Sequence, residues 1–118
     1  AGSSGKLGRL DMRQSALDFS DCFASKARAA AHLFCTTTQV VLRTHLTFSS
    51  IASLWDNLGL GSYASACAAV EGLSMHKSSQ GVQASTVVWP QVTGTMGMGA
   101  AAITAGGAPH TNLQPRAV

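Results

Sequence analysis

The order of hydrophobic and polar residues along the chain predicts a helix, a strand, a second helix and a second strand. Apolar residues recur at near-helical spacing within residues 11–33, and β-branched and aromatic residues concentrate within residues 40–48 and 82–89. Between these two strands, residues 63–78 form a run of small residues that favours a helix. This order is typical of an α/β fold, in which a parallel sheet carries helices on its faces.

Serine, glycine and proline mark the boundaries of these elements. We expect Ser62 to cap the second helix, Gly81 to end it and Pro90 to stop the last strand. Residues 101–118 have no periodic pattern, so we expect them to form a flexible or extended tail after a folded unit of residues 1–100.

Composition excludes several classes of protein. The chain has 118 residues, of which 46% are hydrophobic and only 11% charged, with a net charge of +3. This charge is weak and scattered, so no nucleic-acid partner is expected. Residues 78–115 contain no Asp, Glu, Lys or Arg. They are rich in glycine and threonine, so a buried strand and loop explain this run better than a membrane span does.

The spacing of cysteine and histidine residues indicates neither a metal site nor a disulfide framework. The three cysteines are odd in number and widely spaced, and the four histidines have no ligand spacing. We therefore expect reduced thiols, a cytosol-like compartment and no metal. The amino terminus has no signal-peptide layout.

Serine and tyrosine residues occupy positions that suit the reduction of a carbonyl group. Residues His45 to Phe48 read as a short strand that ends in Ser49 and Ser50, and Tyr63 begins the next helix. Both positions can converge outside the carboxyl edge of a parallel sheet, where open α/β folds bind ligands. A tyrosine hydroxyl can give a proton to a carbonyl oxygen that is being reduced if a cation lies near the phenol and another hydroxyl holds the carbonyl.

These residues fall in the register of a known family. The strand end Phe48-Ser49-Ser50, the helix start Tyr63-Ala64-Ser65-Ala66-Cys67, and Lys26 before them resemble the ketoreductase domain of polyketide synthases and type I fatty acid synthases. That domain belongs to the short-chain dehydrogenase/reductase superfamily. The resemblance covers about residues 1–100. It implies a partial Rossmann-like fold, the carboxyl half of a doubly wound parallel sheet with about two strands and two to three helices.

The resemblance implies catalytic roles for Lys26, Ser50, Tyr63 and Cys67. Lys26 would favour the phenolate form of Tyr63, Tyr63 would donate the proton, and Ser50 would hold the carbonyl oxygen. Cys67 departs from the family, which has an asparagine at this position to hold the proton relay. A thiol is a weak hydrogen-bonding group, so it supports such a relay poorly. Structural alternatives stay open: Lys26 as a solvated helix lysine, Ser50 as a strand-end hydrogen-bonding group, and Tyr63 as a packing residue.

Further positions match the substrate and cofactor ends of the family's site. Trp55 resembles the tryptophan that orients the substrate in A-type ketoreductases, although a packing role is an alternative. Trp89 and Pro90 resemble the end of the last core strand, and Gly97 and Met98 resemble the Gly-Met after the cofactor loop. The resemblance implies NADPH as the cofactor. Since nothing in the chain reads strand, Gly-x-Gly-x-x-Gly, helix, we expect the chain alone not to bind NADPH tightly.

Two functions remain open. The first is that of the catalytic half of an NADPH-dependent β-ketoacyl thioester reductase, inactive in isolation, whose substrate the resemblance places on an acyl carrier protein. The second is that of a non-catalytic structural or accessory subunit. Either way we expect the chain to pack against the remainder of a ketoreductase or the subunits of a larger complex, because its few elements form little core and few charges protect its surface.

Overall fold

Helices and strands follow one another in the predicted order. The computed structural model describes residues 14–55 and 59–90, so the predicted tail of residues 101–118 lies outside the described residues. The elements are, in chain order, helix α1 (Ala16–Phe23), a π-helical turn (Ala24–Arg28), helix α2 (Ala29–Thr36), strand β1 (His45–Ser50), a 3-10 turn (Ile51–Ser53), helix α3 (Gly61–Ser79) and strand β2 (Ala84–Trp89).

A serine and an aspartate start α1. Ser15 Oγ accepts a hydrogen bond from the N–H of Asp18 at 3.3 Å, and the N–H of Ser15 donates to the Asp18 carboxylate at 2.8 Å. This reciprocal cap satisfies two donors at the start of the helix. From there α1, the π turn and α2 form one helical segment that passes the predicted end at residue 33 and stops at Thr36.

β1 and β2 pair in parallel, which confirms the predicted partial Rossmann-like fold. Their register runs from His45 beside Ala84 to Ser50 beside Trp89. Helix α3 connects the two strands in sequence and contacts both of them. The carboxyl ends of both strands therefore lie at the same edge of the sheet.

Strand β1 confirms the short strand expected within residues 40–48. It begins at His45, as predicted, and it ends at Ser50, so the two serines expected at the strand end belong to the strand. The N–H of His45 donates to the Gln83 carbonyl at 2.7 Å, directly before β2 begins. Pairing with β2 therefore sets the start of β1, and the β-branched residues of the preceding segment do not extend it.

The prediction that Ser62 caps α3 was wrong. The helix begins at Gly61, Leu60 occupies the cap position, and Ser62 is buried inside the first turn. The N–H of Ser62 donates to the side-chain oxygen of Gln14 at 2.8 Å. A side chain from a distant segment thus satisfies a donor that a local cap would otherwise satisfy. The other boundary agrees with the prediction, since Gly81 follows the helix with a φ of +84°.

Small residues form the interface between α3 and its neighbours. Ala66, Cys67, Val70 and Ser74 of this helix are all buried. A hydroxyl network joins α3 to the sheet: Thr47 Oγ1 lies 2.9 Å from Ser74 Oγ and 2.7 Å from a threonine hydroxyl of β2. Small and polar side chains here let the helix and the sheet approach closely while their hydrogen bonds are satisfied.

The other face of the sheet is uncovered in the described part of the chain. Because strand residues alternate between faces, the residues that point away from α3 include Leu46 and Phe48 on β1 and Val87 and Trp89 on β2. Their exposed fractions are 53%, 58%, 37% and 50%. No helix among residues 14–55 and 59–90 is long and apolar enough to span a membrane.

Candidate functional site

Lys26 and Tyr63 lie in contact. Lys26 is the central residue of the π turn, and Tyr63 is in the first turn of α3. The Lys26 Nζ lies 4.6 Å from the centroid of the Tyr63 ring, within the range of a cation–π interaction. Single π turns inside α-helices are frequent at functional sites, and this one carries the lysine that faces Tyr63.

Ser50 ends β1 and begins the 3-10 turn. Its Oγ accepts a hydrogen bond from the N–H of Ala52 at 3.3 Å and so caps the turn. The oxygen acts as an acceptor in this contact, so the hydroxyl proton can be donated to a carbonyl oxygen. A strand-end role and a carbonyl-holding role are therefore compatible in the same side chain.

Ser49 has a different environment from its neighbour. It is buried, and its hydroxyl donates to the carboxylate of Glu71 on α3 and lies 3.5 Å from the carbonyl oxygen of Cys67. Ser49 therefore joins the end of β1 to α3.

Cys67 is fully buried on α3, one helical turn after Tyr63. Its exposed fraction is 0%, and its thiol is free, like those of Cys22 and Cys35. A substrate cannot reach this sulfur without a rearrangement. If the Cys67 thiol takes part in a proton relay, the proton must pass through neighbouring buried groups.

The two tryptophans at the candidate site are half exposed. Trp55 follows the 3-10 turn with an exposed fraction of 55%, and Trp89 ends β2 as the parallel partner of Ser50. Pro90 follows and is exposed. Gly97 and Met98 lie outside the described residues. Trp55, Trp89 and Pro90, the described residues that we expected to contact substrate or cofactor, thus lie at or just after the carboxyl ends of the two strands.

Glu71 is the residue of this region that the sequence did not reveal. Its carboxylate also accepts a hydrogen bond from the hydroxyl of Ser53 at 2.5 Å. A possible indication was its spacing, since Tyr63, Cys67 and Glu71 recur every four residues along one side of α3. Nothing in the sequence alone joined that side of the helix to the serines of β1.

Two further observations concern ligands. The described residues include no cluster of three His, Cys, Asp or Glu side chains that could hold a metal ion. A cavity of about 370 Å³ lies at the amino-terminal ends of the strands, where His45 and Gln83 line it together with Phe34. It is at the opposite end of the sheet from Ser50 and Trp89, so it is not the predicted catalytic cleft.

Comparison with known proteins gives consistent matches. Residues 6–94 match the family described as the KR domain. The chain is 35% identical to the polyketide synthase GfsB of Streptomyces halstedii over 69 residues, which are 58% of this chain and 1% of the relative. It is 36% identical to the spectinabilin polyketide synthase system protein NorB of Streptomyces orinoci over 84 residues, 71% of this chain and 4% of the relative. The chain therefore spans a very small part of the length of these relatives. No solved structure gives a significant match.

Proposed function

The chain belongs to the ketoreductase (KR) domain family, and on that premise we propose that it carries the proton-donating half of an NADPH-dependent reductase of β-ketoacyl thioesters. The observation that carries this proposal is the contact between Lys26 and Tyr63, 4.6 Å from Nζ to ring centroid. Two residues that are far apart in sequence meet there, and a cation close to a tyrosine supports the proposal that this tyrosine donates a proton.

Each residue of the site has one task in this proposal. Tyr63 gives its hydroxyl proton to the carbonyl oxygen of the substrate as that oxygen gains negative charge. Lys26 offsets the charge that this transfer leaves on the phenol, because a nearby cation favours the phenolate. Ser50 donates its hydroxyl proton in a hydrogen bond to the same carbonyl oxygen and so fixes the orientation of the substrate.

The residues that are present fit one end of NADPH. Trp89 ends β2 beside Ser50 and is half exposed, so it and Pro90 could contact the nicotinamide ring at the edge of the sheet. Bound there, the cofactor would supply the hydride to the carbonyl carbon. The sequence contains no Gly-x-Gly-x-x-Gly pattern to bind the pyrophosphate, so in this proposal tight binding requires a second half of the sheet.

The descriptions of the relatives support a substrate class and partners for this proposal. Both relatives are described as polyketide synthase proteins. We therefore assign the substrate to β-ketoacyl thioesters carried on an acyl carrier protein. We also assign the natural context of the chain to the remainder of a ketoreductase within a larger synthase.

Reconstitution tests this proposal. The chain alone would be compared with the chain fused behind the dinucleotide-binding half of a polyketide synthase ketoreductase. NADPH binding would be followed by fluorescence titration and reduction of a soluble β-ketoacyl thioester by the loss of NADPH absorbance. We expect the chain alone to be inactive and the fusion to be active, with Tyr63→Phe losing most of that activity. Micromolar NADPH binding by the chain alone would overturn the need for a second half.

A non-catalytic subunit is the second candidate function. It is favoured by the full burial of Cys67 at the position where the family has asparagine, and by the uncovered sheet face. A fusion that melts cooperatively and binds NADPH but reduces no thioester would favour this function over the first.

A further inference from the structure

Two serines on either side of Ser50 donate hydrogen bonds to one carboxylate. The Ser49 hydroxyl, at the end of β1, donates to Oε1 of Glu71. The Ser53 hydroxyl, in the 3-10 turn, donates to the same oxygen at 2.5 Å. Ser49 is 6% exposed, so its bond to Glu71 is shielded from competition with water. We call this arrangement of Ser49, Ser53 and Glu71 the serine–glutamate clamp.

The clamp joins the segment that carries Ser50 to the helix that carries Tyr63. Glu71 lies two turns after Tyr63 on α3, and a straight helix is rigid over that length. The clamped serines lie one residue before and three residues after Ser50. Without the clamp, the turn after β1 would form bonds within itself, because the single Ser53 proton could be donated instead to the Ser50 carbonyl, which lies 2.9 Å from Ser53 Oγ. Those bonds do not involve α3.

A carboxylate suits this task better than a neutral group does. One carboxylate oxygen can accept two hydrogen bonds, and each serine has a single proton to donate. Hydrogen bonds to an ionised acceptor are roughly twice as strong as bonds between neutral groups. Glutamine at this position would keep an acceptor of the same shape but lose the charge.

We infer that Glu71 is a positioning residue, whose carboxylate fixes the hydroxyl of Ser50 relative to the hydroxyl of Tyr63 through Ser49 and Ser53. This role rests on the proposed function, in which both hydroxyls contact one carbonyl oxygen. The clamp itself does not depend on that function, because its hydrogen bonds exist in the chain without substrate.

The kinetic test uses the active fusion and a double-mutant cycle. Glu71→Gln is expected to lower kcat about tenfold with a smaller change in KM, because the substrate still binds but its carbonyl is held less well. In the Ser50→Ala background, Glu71→Gln should cause little further loss, since the hydroxyl on which it acts is gone. Asp21→Asn, which removes an exposed acidic charge on α1, is the matched control and should leave kcat unchanged.

A second test does not require activity. Hydrogen exchange of the Ala52 amide, which donates to Ser50 Oγ, would be measured by NMR in the full chain with and without Glu71→Gln. We expect exchange at Ala52 to accelerate at least tenfold in this variant and in Ser49→Ala/Ser53→Ala, while amides in the middle of α1 keep their wild-type rates. If Glu71→Gln unfolds the chain, the double serine variant provides the same comparison.

The outcomes separate this inference from the proposed function. An inactive fusion in which Ala52 loses protection on Glu71→Gln would keep the clamp and reject the reductase. An unchanged exchange rate at Ala52, in both the glutamine and the double serine variants, would overturn the clamp. Equal losses of kcat from Glu71→Gln in the wild-type and Ser50→Ala backgrounds would overturn the positioning role, because Glu71 would then act independently of Ser50.

Discussion

The Lys26 ammonium lies over the face of the Tyr63 ring, 4.6 Å from its centroid, although the two residues belong to different helices. The lysine reaches the ring from a π turn, where one extra residue per turn shifts the side chains that follow it around the helix axis. This shift places a cation beside the only tyrosine in the chain.

Removal of that cation should impair proton donation. In the reductase fusion, Lys26→Gln is expected to lower kcat by about 100-fold, within the range that positioned acid–base groups contribute. Initial rates of NADPH oxidation at saturating thioester would measure the loss. Arg28→Gln is the matched control because it removes an exposed positive charge from the same π turn. Equal losses in the two variants would indicate a general charge effect rather than a specific role for Lys26.

The three thiols should differ sharply in reactivity. Cys35 is exposed, whereas Cys22 and Cys67 are 3% and 0% exposed. A thiol reagent whose product absorbs light should therefore modify Cys35 quickly in the native chain, and Cys22 and Cys67 only when the chain unfolds. The Cys35→Ser variant should lose the fast phase. A fast reaction of Cys67, identified by mass spectrometry, would contradict its burial.

The sequence predicted the order of the elements, since hydrophobic periodicity and turn residues report directly on local structure. Only the resemblance to the family, and not any local pattern, predicted that Lys26 lies close to Tyr63. The short strand that begins at His45 was also predicted, but its register with β2 depends on contacts between residues that are distant in sequence. For the same reason the cap of α3 was missed: the group that satisfies the N–H of Ser62 is Gln14, a side chain far away in sequence.

Glu71 illustrates the same limit within the site. Its carboxylate binds Ser49 and Ser53, which lie on a different element, and no local pattern distinguishes it from a solvated helix glutamate. The sequence shows that Tyr63, Cys67 and Glu71 are spaced i, i+4 along one side of α3. It does not show which strand end contacts that side of the helix. Hydrogen bonds between elements become visible only when the elements are packed together.

Replacement of Cys67 by asparagine should raise activity at a cost in stability. The family has asparagine at this position, and its amide offers two donors and an acceptor to a proton relay where a thiol offers weak ones. In the fusion, Cys67→Asn is expected to raise kcat severalfold. The amide must be buried completely, so the melting temperature should fall by several degrees if its partners are incomplete. Cys67→Ala, which adds no polar group, should leave kcat unchanged, and no gain from asparagine would mean that the cysteine is harmless.

The uncovered face of the sheet should make the isolated chain associate. Parallel sheets are normally covered on both faces, but Leu46 and Phe48 on β1 are more than half exposed here, and Trp89 on β2 is half exposed. Burial of these side chains against other polypeptide releases ordered water and favours association at about 25 cal/mol per Å² of apolar surface. The charged fraction of 11% offers little repulsion to oppose it.

Sedimentation velocity of the chain at low micromolar concentration would measure this association. We expect species larger than a monomer, and Leu46→Thr/Phe48→Thr should shift the distribution towards the monomer while keeping β-branched residues in the strand. Leu17→Thr/Leu33→Thr is the matched control, because both leucines are 64% exposed but lie on α1 and α2 instead of the sheet. If the sheet face is the site of contact, the control should associate like the wild type, and addition of the dinucleotide-binding half should replace self-association with a defined complex. A compact, cooperatively melting monomer would contradict the need for a partner and remove the main physical support for a structural subunit.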